Sequence, residues 1–390
     1  MYFLLMMKIY EEIIFMLNRF FSRKESNTHI EYVIFGIKLK IHKNDAVAII
    51  RLDGMGDYVM MNNFLSSIKQ SEEYKNKKII FIGWTHMASL CEMLNSADVD
   101  EFWWLDLSYF TPWGKKFLKK KFKEYHIQTV IDPGFRKNIY TEIFLSTVKP
   151  KKVISHKVYF ENKTLQKNSS LYTDIIPTTE KQVFEFERMK EFFEKVSKTN
   201  IEYKRPFFES FFNKGEKYIF ISPFAGDKRR CWNAENYAEI INYIVEKYDY
   251  KCVILGSRYE VRSVEKILEK ITEKNRAKVI NAVNKTTTAS LPNIFKNYAR
   301  LLIANETGTI HIALASGCPF VSISSGSFYK RFQPYEGFEN SYIYPDRFEE
   351  KIKNNEDMSA FYTDEGFDVN EISVDKVKSK IEGILSGVVA

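Results

Sequence analysis

Cysteine is scarce in this 390-residue sequence: Cys91, Cys231, Cys252 and Cys318 are the only four, widely spaced and without a CxxC pair. That spacing offers neither a disulfide framework nor a zinc site, and it predicts buried thiols in a reducing compartment. Long apolar runs are missing too. The nearest approach, residues 1–23, is interrupted by Lys8, Glu11, Glu12 and Arg19, so it falls short of the ~18 apolar residues a membrane-spanning helix needs. Charge of one sign is not in large excess: 58 basic against 50 acidic residues leave +8, spread along the chain. Such a balance suits an anionic substrate or a membrane surface but is too weak for nucleic acid. RNP-like aromatic motifs, zinc-finger spacings, zipper regions and the GxGxxG dinucleotide fingerprint are all absent.

What is present is apolar material for two cores. Hydrophobic residues make up 45% and aromatics 15%, and a chain of this length fits two domains of about 150 to 200 residues. Leu4, Leu5, Ile9, Ile13, Ile14, Met16, Leu17, Phe20 and Phe21 recur at helical spacing. They predict an amphipathic helical extension over 1–30, packed on the body or resting on the inner membrane face with Lys8, Arg19, Arg23 and Lys24 toward the lipid.

Beyond the extension, two halves share one grammar. In the first, strands are predicted at 46–50, 79–82, 101–105, 129–131 and 153–154, with helices over 57–69 and 85–94. In the second, strands at 218–222, 252–255, 277–280, 300–304 and 320–323 alternate with helices at 234–247, 260–273, 290–299 and 308–316. Strand-helix alternation means a parallel sheet with crossover helices, so the fold class is α/β, with two Rossmann-like domains facing each other. The predicted division is 31–200, 201–350 and a tail over 351–390 whose helix, 374–385, packs back toward the first domain. The polar stretch 198–217 with Pro206 connects the halves, and 345–370 shows no clear period.

Ligands of such sheets bind outside the carboxyl ends of the strands, which directs attention to three turns. The first, Arg51-Leu-Asp-Gly-Met-Gly-Asp57, has Gly54 and Gly56 for tight geometry and Asp57 where a helix begins. Asp57 reads as an N-cap or as a general base. A helix N-terminus favours the ionised carboxylate, which works against base strength, while a neighbouring diphosphate or partial burial works the other way. The second turn, Ser222-Pro-Phe-Ala-Gly-Asp-Lys-Arg-Arg-Cys-Trp232, sets small residues, Ala225 and Gly226 among them, before the cations Lys228, Arg229 and Arg230. It reads as a phosphate site or as a solvated charge run. The third, Asn305-Glu-Thr-Gly-Thr-Ile-His311, opens a helix at Thr307 and Gly308 whose free N–H groups suit a diphosphate. Thr309 follows, and His311 lies one turn in, near the same surface or packed away from it.

With these residues the sequence resembles glycosyltransferase family 9, the lipopolysaccharide-core heptosyltransferases, over about residues 45 to 385. The resemblance rests on Arg51 through Gly56-Asp57, on Arg230-Cys-Trp232, and on Glu306-Thr-Gly-Thr-Ile-His311 followed by Ala313, Ala315 and Gly317-Cys-Pro319. It implies a GT-B architecture with an acceptor-binding first domain and a second domain that binds the nucleotide sugar. It also implies an inverting, metal-independent transfer of a sugar, heptose by family, from a nucleoside diphosphate donor (ADP-heptose by resemblance) to a lipopolysaccharide core or other surface glycan. Asp57 would be the base, supported by the loop of Arg51, Gly54 and Gly56. Ser222, Ala225, Gly226, Arg230, Glu306, Thr307, Gly308, Thr309 and His311 would bind the donor.

Three departures stand out. The family usually has Lys at Arg230 and Asp at Glu306, and it often has an acidic residue just after the strand ending at Leu255, where this chain has Ser257-Arg-Tyr-Glu260. No cofactor or metal is expected. Asp98-Val-Asp100 matches a DxD pattern but lies before a strand in the first half, as a solvated loop would. The lysines between Gly114 and Tyr125 form a solvated face or contact an anionic glycolipid or membrane. The expected place is the cytoplasm, peripheral on the inner face of the cytoplasmic membrane. A sugar-nucleotide hydrolase or epimerase, or a non-catalytic sugar-nucleotide-binding protein, remain as alternatives.

Overall fold

The structure is a computed structural model that describes residues 21–25, 29–34, 37–42, 46–156, 169–179, 182–208 and 218–386. Near the start, β1 (Phe21–Glu25), β2 (His29–Ile34) and β3 (Ile37–His42) pair antiparallel in that order, with Ile34 opposite Ile37. The helical extension expected over 1–30 therefore gives way to strand from Phe21, and residues 1–20 lie outside the described residues. The reason is periodicity: apolar and polar residues alternate along Ile37-Lys-Leu-Lys-Ile-His42 and His29-Ile-Glu-Tyr32, and cross-strand pairing outweighs local helical spacing at Phe21.

The first large sheet is built from β4 (Ala46–Arg51), β5 (Lys78–Trp84), β6 (Glu101–Leu105), β7 (Thr129–Asp132), β8 (Lys152–His156) and β9 (Asp174–Ile176). Its helices are α1 (Met55–Met61), α2 (Leu65–Gln70), α3 (Ala88–Asn95), α4 (Pro112–Glu124), α5 (Ile139–Val148) and α6 (Glu185–Ser197). All strands are parallel, in the order β6-β5-β4-β7-β8-β9. Every residue of β4 is buried, as a central strand covered by helices on both faces requires.

The second sheet repeats the order as β12-β11-β10-β13-β14-β15, from β10 (Tyr218–Ser222), β11 (Cys252–Ile254), β12 (Val279–Asn281), β13 (Ala299–Asn305), β14 (Phe320–Ile323) and β15 (Tyr342–Ile343). Its helices are α7 (Ala234–Tyr248), α8 (Ser263–Leu268), α9 (Leu291–Tyr298), α10 (Gly308–Ala315), α11 (Asp346–Lys353) and α12 (Val374–Leu385). Both sheets thus have the doubly wound order in which the chain reverses beside its first strand. The switch points lie between β4 and β7 and between β10 and β13, where ligands of such sheets bind.

Several expectations shift. The strand foreseen at 277–280 starts at Val279, because Ala277 and Lys278 belong to a 3₁₀ turn. Helices α5, α6 and α11 and the short strands β9 and β15 had no sequence-based prediction. The last helix, α12, does not pack back on the first domain. Its Val377 and Ile381 join the cluster of Ile240, Ile244 and Val321 in the second domain, because its apolar stripe matches the groove beside α7. The tail reaches the first domain elsewhere, through Tyr362, which donates to the Val183 carbonyl at 2.7 Å.

The domains share apolar packing. One cluster runs from Phe64, Phe186 and Met60 of the first domain to Ile310, Tyr335, Phe220 and Leu302 of the second. The four cysteines are free thiols; Cys91, Cys252 and Cys318 are buried and Cys231 is half-buried. Among the described residues, no helix is long and apolar enough to cross a membrane. Asp100 of the DxD match accepts from the Ile79 N–H at 2.7 Å and from Lys69 at 2.6 Å, a local staple at the edge of β5.

Candidate active site

The loop after β4 carries the first turn. Arg51, the last residue of that strand, is buried, yet its guanidinium is held by two carboxylates: Nε donates to Asp53 at 2.9 Å and Nη2 to Asp57 at 3.2 Å. Burial works against its charge, but Asp53 and then Asp57 outweigh it and raise its pKa. Asp57 is the third residue of α1, and its Oδ2 accepts from the Gly54 N–H at 3.2 Å. The N-cap is therefore Gly54 and not Asp57, whose carboxylate closes the helix start from the third position and keeps about a quarter of its side-chain surface, 24%, open.

The second and third turns leave β10 and β13, neighbours at the switch point of the second sheet. Asn305, at the end of β13, ties them together. It accepts from the Trp232 N–H at 3.2 Å and the Tyr237 hydroxyl at 2.8 Å, and donates to the Pro223 carbonyl at 2.6 Å. This buried amide fixes the positions of both loops; the sequence reading quoted the residue without giving it a role. Thr307 caps α10, accepting from the Thr309 N–H at 3.1 Å, and Ser222 donates to the Thr309 hydroxyl at 3.4 Å.

Around this helix start lies a cavity of about 470 Å³. Ser222, Ala225, Gly226, Thr307, Gly308 and Thr309, which the sequence grouped as candidates, line it together. It also takes Phe224, Leu255, Gly256, Tyr259 and Glu260 from the second domain, with Met55 and His86 reaching in from the first. Glu260 closes a capping box by accepting from the Ser257 N–H at 2.6 Å. Tyr259 stands 76% exposed at the rim, and no sequence signal distinguished it or His86.

Arg230, Glu306 and His311 lie outside the lining of that cavity. Arg230 Nη1 donates to the Glu306 carbonyl at 3.3 Å and stands 3.9 Å from its carboxylate. With Asp227, Ser325 and Ser327 it lines a second cavity of about 220 Å³. The neighbouring Arg229 lines the same cavity, its guanidinium clamped by Asp227 at 2.9 and 2.6 Å. Glu306 is buried and accepts from Ser324 at 3.0 Å and Ser327 at 3.4 Å. Burial pushes its pKa up to about 7, against the pull of Arg230 and these hydrogen bonds.

His311 faces the first domain rather than the 470 Å³ cavity. A Cβ on Gly56 would fall 2.7 Å from its ring, and one on Gly308 would fall 3.1 Å from Met55. Its Nδ1 pairs with the Tyr335 hydroxyl at 2.7 Å, and burial, with a smaller push from Arg230, lowers its pKa to about 4. The two glycines thus permit backbone contact between the start of α1 and the start of α10, which sets the Asp57 loop against the mouth of the 470 Å³ cavity.

The family model for glycosyltransferase family 9 (heptosyltransferase) matches residues 147–355, more than half of the chain. The chain belongs to glycosyltransferase family 9. Among relatives, this family 9 chain is similar to the lipopolysaccharide core heptosyltransferase OpsX of Haemophilus influenzae, 27% identical over 134 residues. That stretch spans 34% of this chain and only 38% of the relative's length. Among solved structures, a family 9 glycosyltransferase from Veillonella parvula has a TM-score of 0.65 at 16% identity, covering 93% of this chain and all of its own. The E. coli heptosyltransferase WaaC with ADP-2-deoxy-2-fluoro heptose has a TM-score of 0.62 at 14% identity, covering 86% and 99% respectively. At such identities the likeness concerns the fold, which is the two-domain GT-B arrangement expected from the sequence.

Proposed function

We propose that this protein is an inverting, metal-independent glycosyltransferase that moves a sugar, heptose by family, from a nucleoside diphosphate donor to a lipopolysaccharide core or similar surface-glycan hydroxyl. One observation carries the reading: the Gly56–His311 and Met55–Gly308 contacts bring a part-exposed carboxylate, Asp57, to the same cleft as a capped helix N-terminus that opens on a 470 Å³ cavity. The apolar walls and the exposed Tyr259 suit a nucleobase. The Thr307–Gly308 helix end suits the diphosphate, with Arg230 beside it. ADP is the expected nucleotide, given what the WaaC structure contains.

In the proposed reaction Asp57 takes the proton of the acceptor hydroxyl as its oxygen bonds to the anomeric carbon from the face opposite the leaving group. The bond from that carbon to the phosphate oxygen breaks, and the electron pair leaves with the nucleoside diphosphate. Charge building on that leaving group meets Arg230 and the α10 N-terminus, a preorganised field worth about 3 to 4 kcal/mol per major donor. Arg51 keeps Asp57 oriented through the 3.2 Å bond.

The test is calorimetric titration of ADP, UDP, GDP and CDP into the wild type and Arg230→Ala, without added metal, followed by transfer from the matching nucleotide sugar. Selective binding of one nucleotide, weakened at least tenfold by the substitution, is the expected result. Equal binding by both proteins, or none, overturns the donor site. Hydrolysis of the donor at the same rate with and without acceptor would replace transferase by hydrolase.

A further inference from the structure

The exposed large apolar side chains of the first domain include Trp113 at 82% exposure, Leu107 at 64%, Phe117 at 52% and Ile139 at 46%. Scattered singly, such residues need no explanation, but a contiguous set does. Contiguity follows from the packing. A Cβ on Gly114 would lie 2.3 Å from the Ser108 carbonyl oxygen and 2.4 Å from the Tyr109 Cα, so the turn Leu107–Phe110 sits directly on the first turn of α4. The Tyr109 and Phe117 rings are 6.1 Å apart. Trp113 and Phe117 are one helical turn apart on the face of α4 opposite the buried Leu118 and Phe122. Thr111 caps α4 and Pro112 opens it, which holds Trp113 at a rigid helix start rather than on a loose loop.

The patch borders the cleft. Because β4 to β9 are parallel, the turn after β6 lies on the same rim as the Asp57 loop after β4. The connection is physical: the rings of Phe110 and Tyr140 are 5.1 Å apart, and Tyr140 follows Ile139 at the start of α5. The α5 cap, Asn138, donates to the Leu52 carbonyl at 3.1 Å, in the loop leading to Asp57. Behind the aromatics, the exposed face of α4 carries Lys116, Lys119, Lys120 and Lys123. At the far end of the helix Lys119 and Lys123 meet Lys149 and Lys151 around a cavity of about 420 Å³.

We infer that this rim is a docking surface for an anionic lipid bilayer, with Trp113, Phe117 and Leu107 entering the interface and the α4 lysines facing lipid phosphates. Tryptophan at the edge of a cationic helix is the chemistry of the headgroup region, and lysines near such a surface are drawn to its anionic lipids. A diffuse negative plane complements a lysine face that carries one nearby carboxylate on the helix, Glu124, 3.8 Å from Lys120. Docking here sets the bilayer beside Asp57, so a lipid-linked acceptor arrives at the cleft from the membrane plane. That last step rests on the transferase reading; the membrane contact does not.

The test is co-sedimentation of the full chain with vesicles of phosphatidylcholine and phosphatidylglycerol in equal parts, against phosphatidylcholine alone, at low and high salt. The wild type is compared with Trp113→Ser/Phe117→Ser and with Lys116→Gln/Lys120→Gln, each checked for retained nucleotide binding and thermal melting. Salt-sensitive binding to the anionic vesicles, weakened at least tenfold by the aromatic pair and severalfold by the lysine pair, is expected. No binding by the wild type overturns the proposal. So does undiminished binding by the aromatic variant, which would place the contact elsewhere, residues 1–20 included. Loss of self-association in the variant, with no vesicle binding by either protein, would make the patch a protein interface instead. Wild type that binds vesicles but no nucleotide leaves the docking surface standing and removes the transferase reading.

Discussion

Asp57 has each oxygen engaged once, Oδ1 by Arg51 and Oδ2 by the Gly54 N–H, and a carboxylate oxygen has room for a second partner. Asp57→Asn keeps the shape and removes the proton acceptor, so kcat is expected to fall by about 10²- to 10⁴-fold with donor affinity little changed; steady-state transfer and calorimetry separate the two. Two further residues set pH dependence, with opposite signs. Glu306 is raised from its ordinary 4.5 to about 7, so its contribution to stability is fully present below 4.5 and is lost as pH rises through about 7. His311 is lowered from 6.5 to about 4, so its contribution is present above 6.5 and is lost as pH falls toward 4. Shifts of this size are each worth on the order of 3 kcal/mol, and between 4.5 and 6.5 they offset. Glu306→Gln should therefore convert a shallow profile into one that loses stability steadily from pH 6.5 down to 4, read from urea midpoints. The same carboxyl beside Arg230 makes affinity for a nucleotide sugar, whose diphosphate has no titration near neutrality, weaken as pH rises through 7. Glu306→Gln should flatten that dependence in calorimetry.

Among the elements, α1 and α10 carry the most consequence per residue because their first turns touch. Gly56→Ala puts a methyl 2.7 Å from a His311 ring that is itself held by Tyr335. Overpacking of this kind costs about 1 to 3 kcal/mol; the expected result is a lowered melting temperature together with weaker donor binding, since the α10 start must shift. Gly114→Ala meets backbone at 2.3 Å, so it should lift the Leu107–Phe110 turn from α4 and weaken vesicle binding while nucleotide binding persists. Helices α5 and α6 show why some elements were silent in the sequence. The buried residues of α5 include Thr141, Glu142 and Thr147 beside Phe144 and Leu145, so no clean apolar stripe marks it. In α6 the buried face mixes Glu185 and Arg188 with Phe186, Met189, Phe192 and Phe193, charges that make sense only once Arg331 of the second domain is set against Glu185.

Across the whole molecule, the seam between domains is part polar. Arg331 Nε stands 3.2 Å from Glu185, both side chains almost fully buried, and the Glu185 N–H donates to the Arg331 carbonyl at 2.7 Å. Glu185→Ala leaves a buried guanidinium without its carboxylate and should cost about 3 to 5 kcal/mol, seen as a lower urea midpoint. The alternation of strands and helices, the glycine turns and the three motifs were legible in the sequence because they are local: β4 reads as buried from five apolar residues, and Thr307–Gly308 reads as a helix start from its own capping chemistry. The tertiary structure alone decided which turns meet. It paired β10 with β13 and β4 with β7, so that residues 76 apart, Arg230 and Glu306, share a hydrogen bond. It set both Arg229 and Arg230 on one cavity, placed His311 against Gly56, and kept α12 on the second domain. Those outcomes depend on packing between segments distant along the chain, where shape and burial act on pairs of residues that no single stretch of sequence contains.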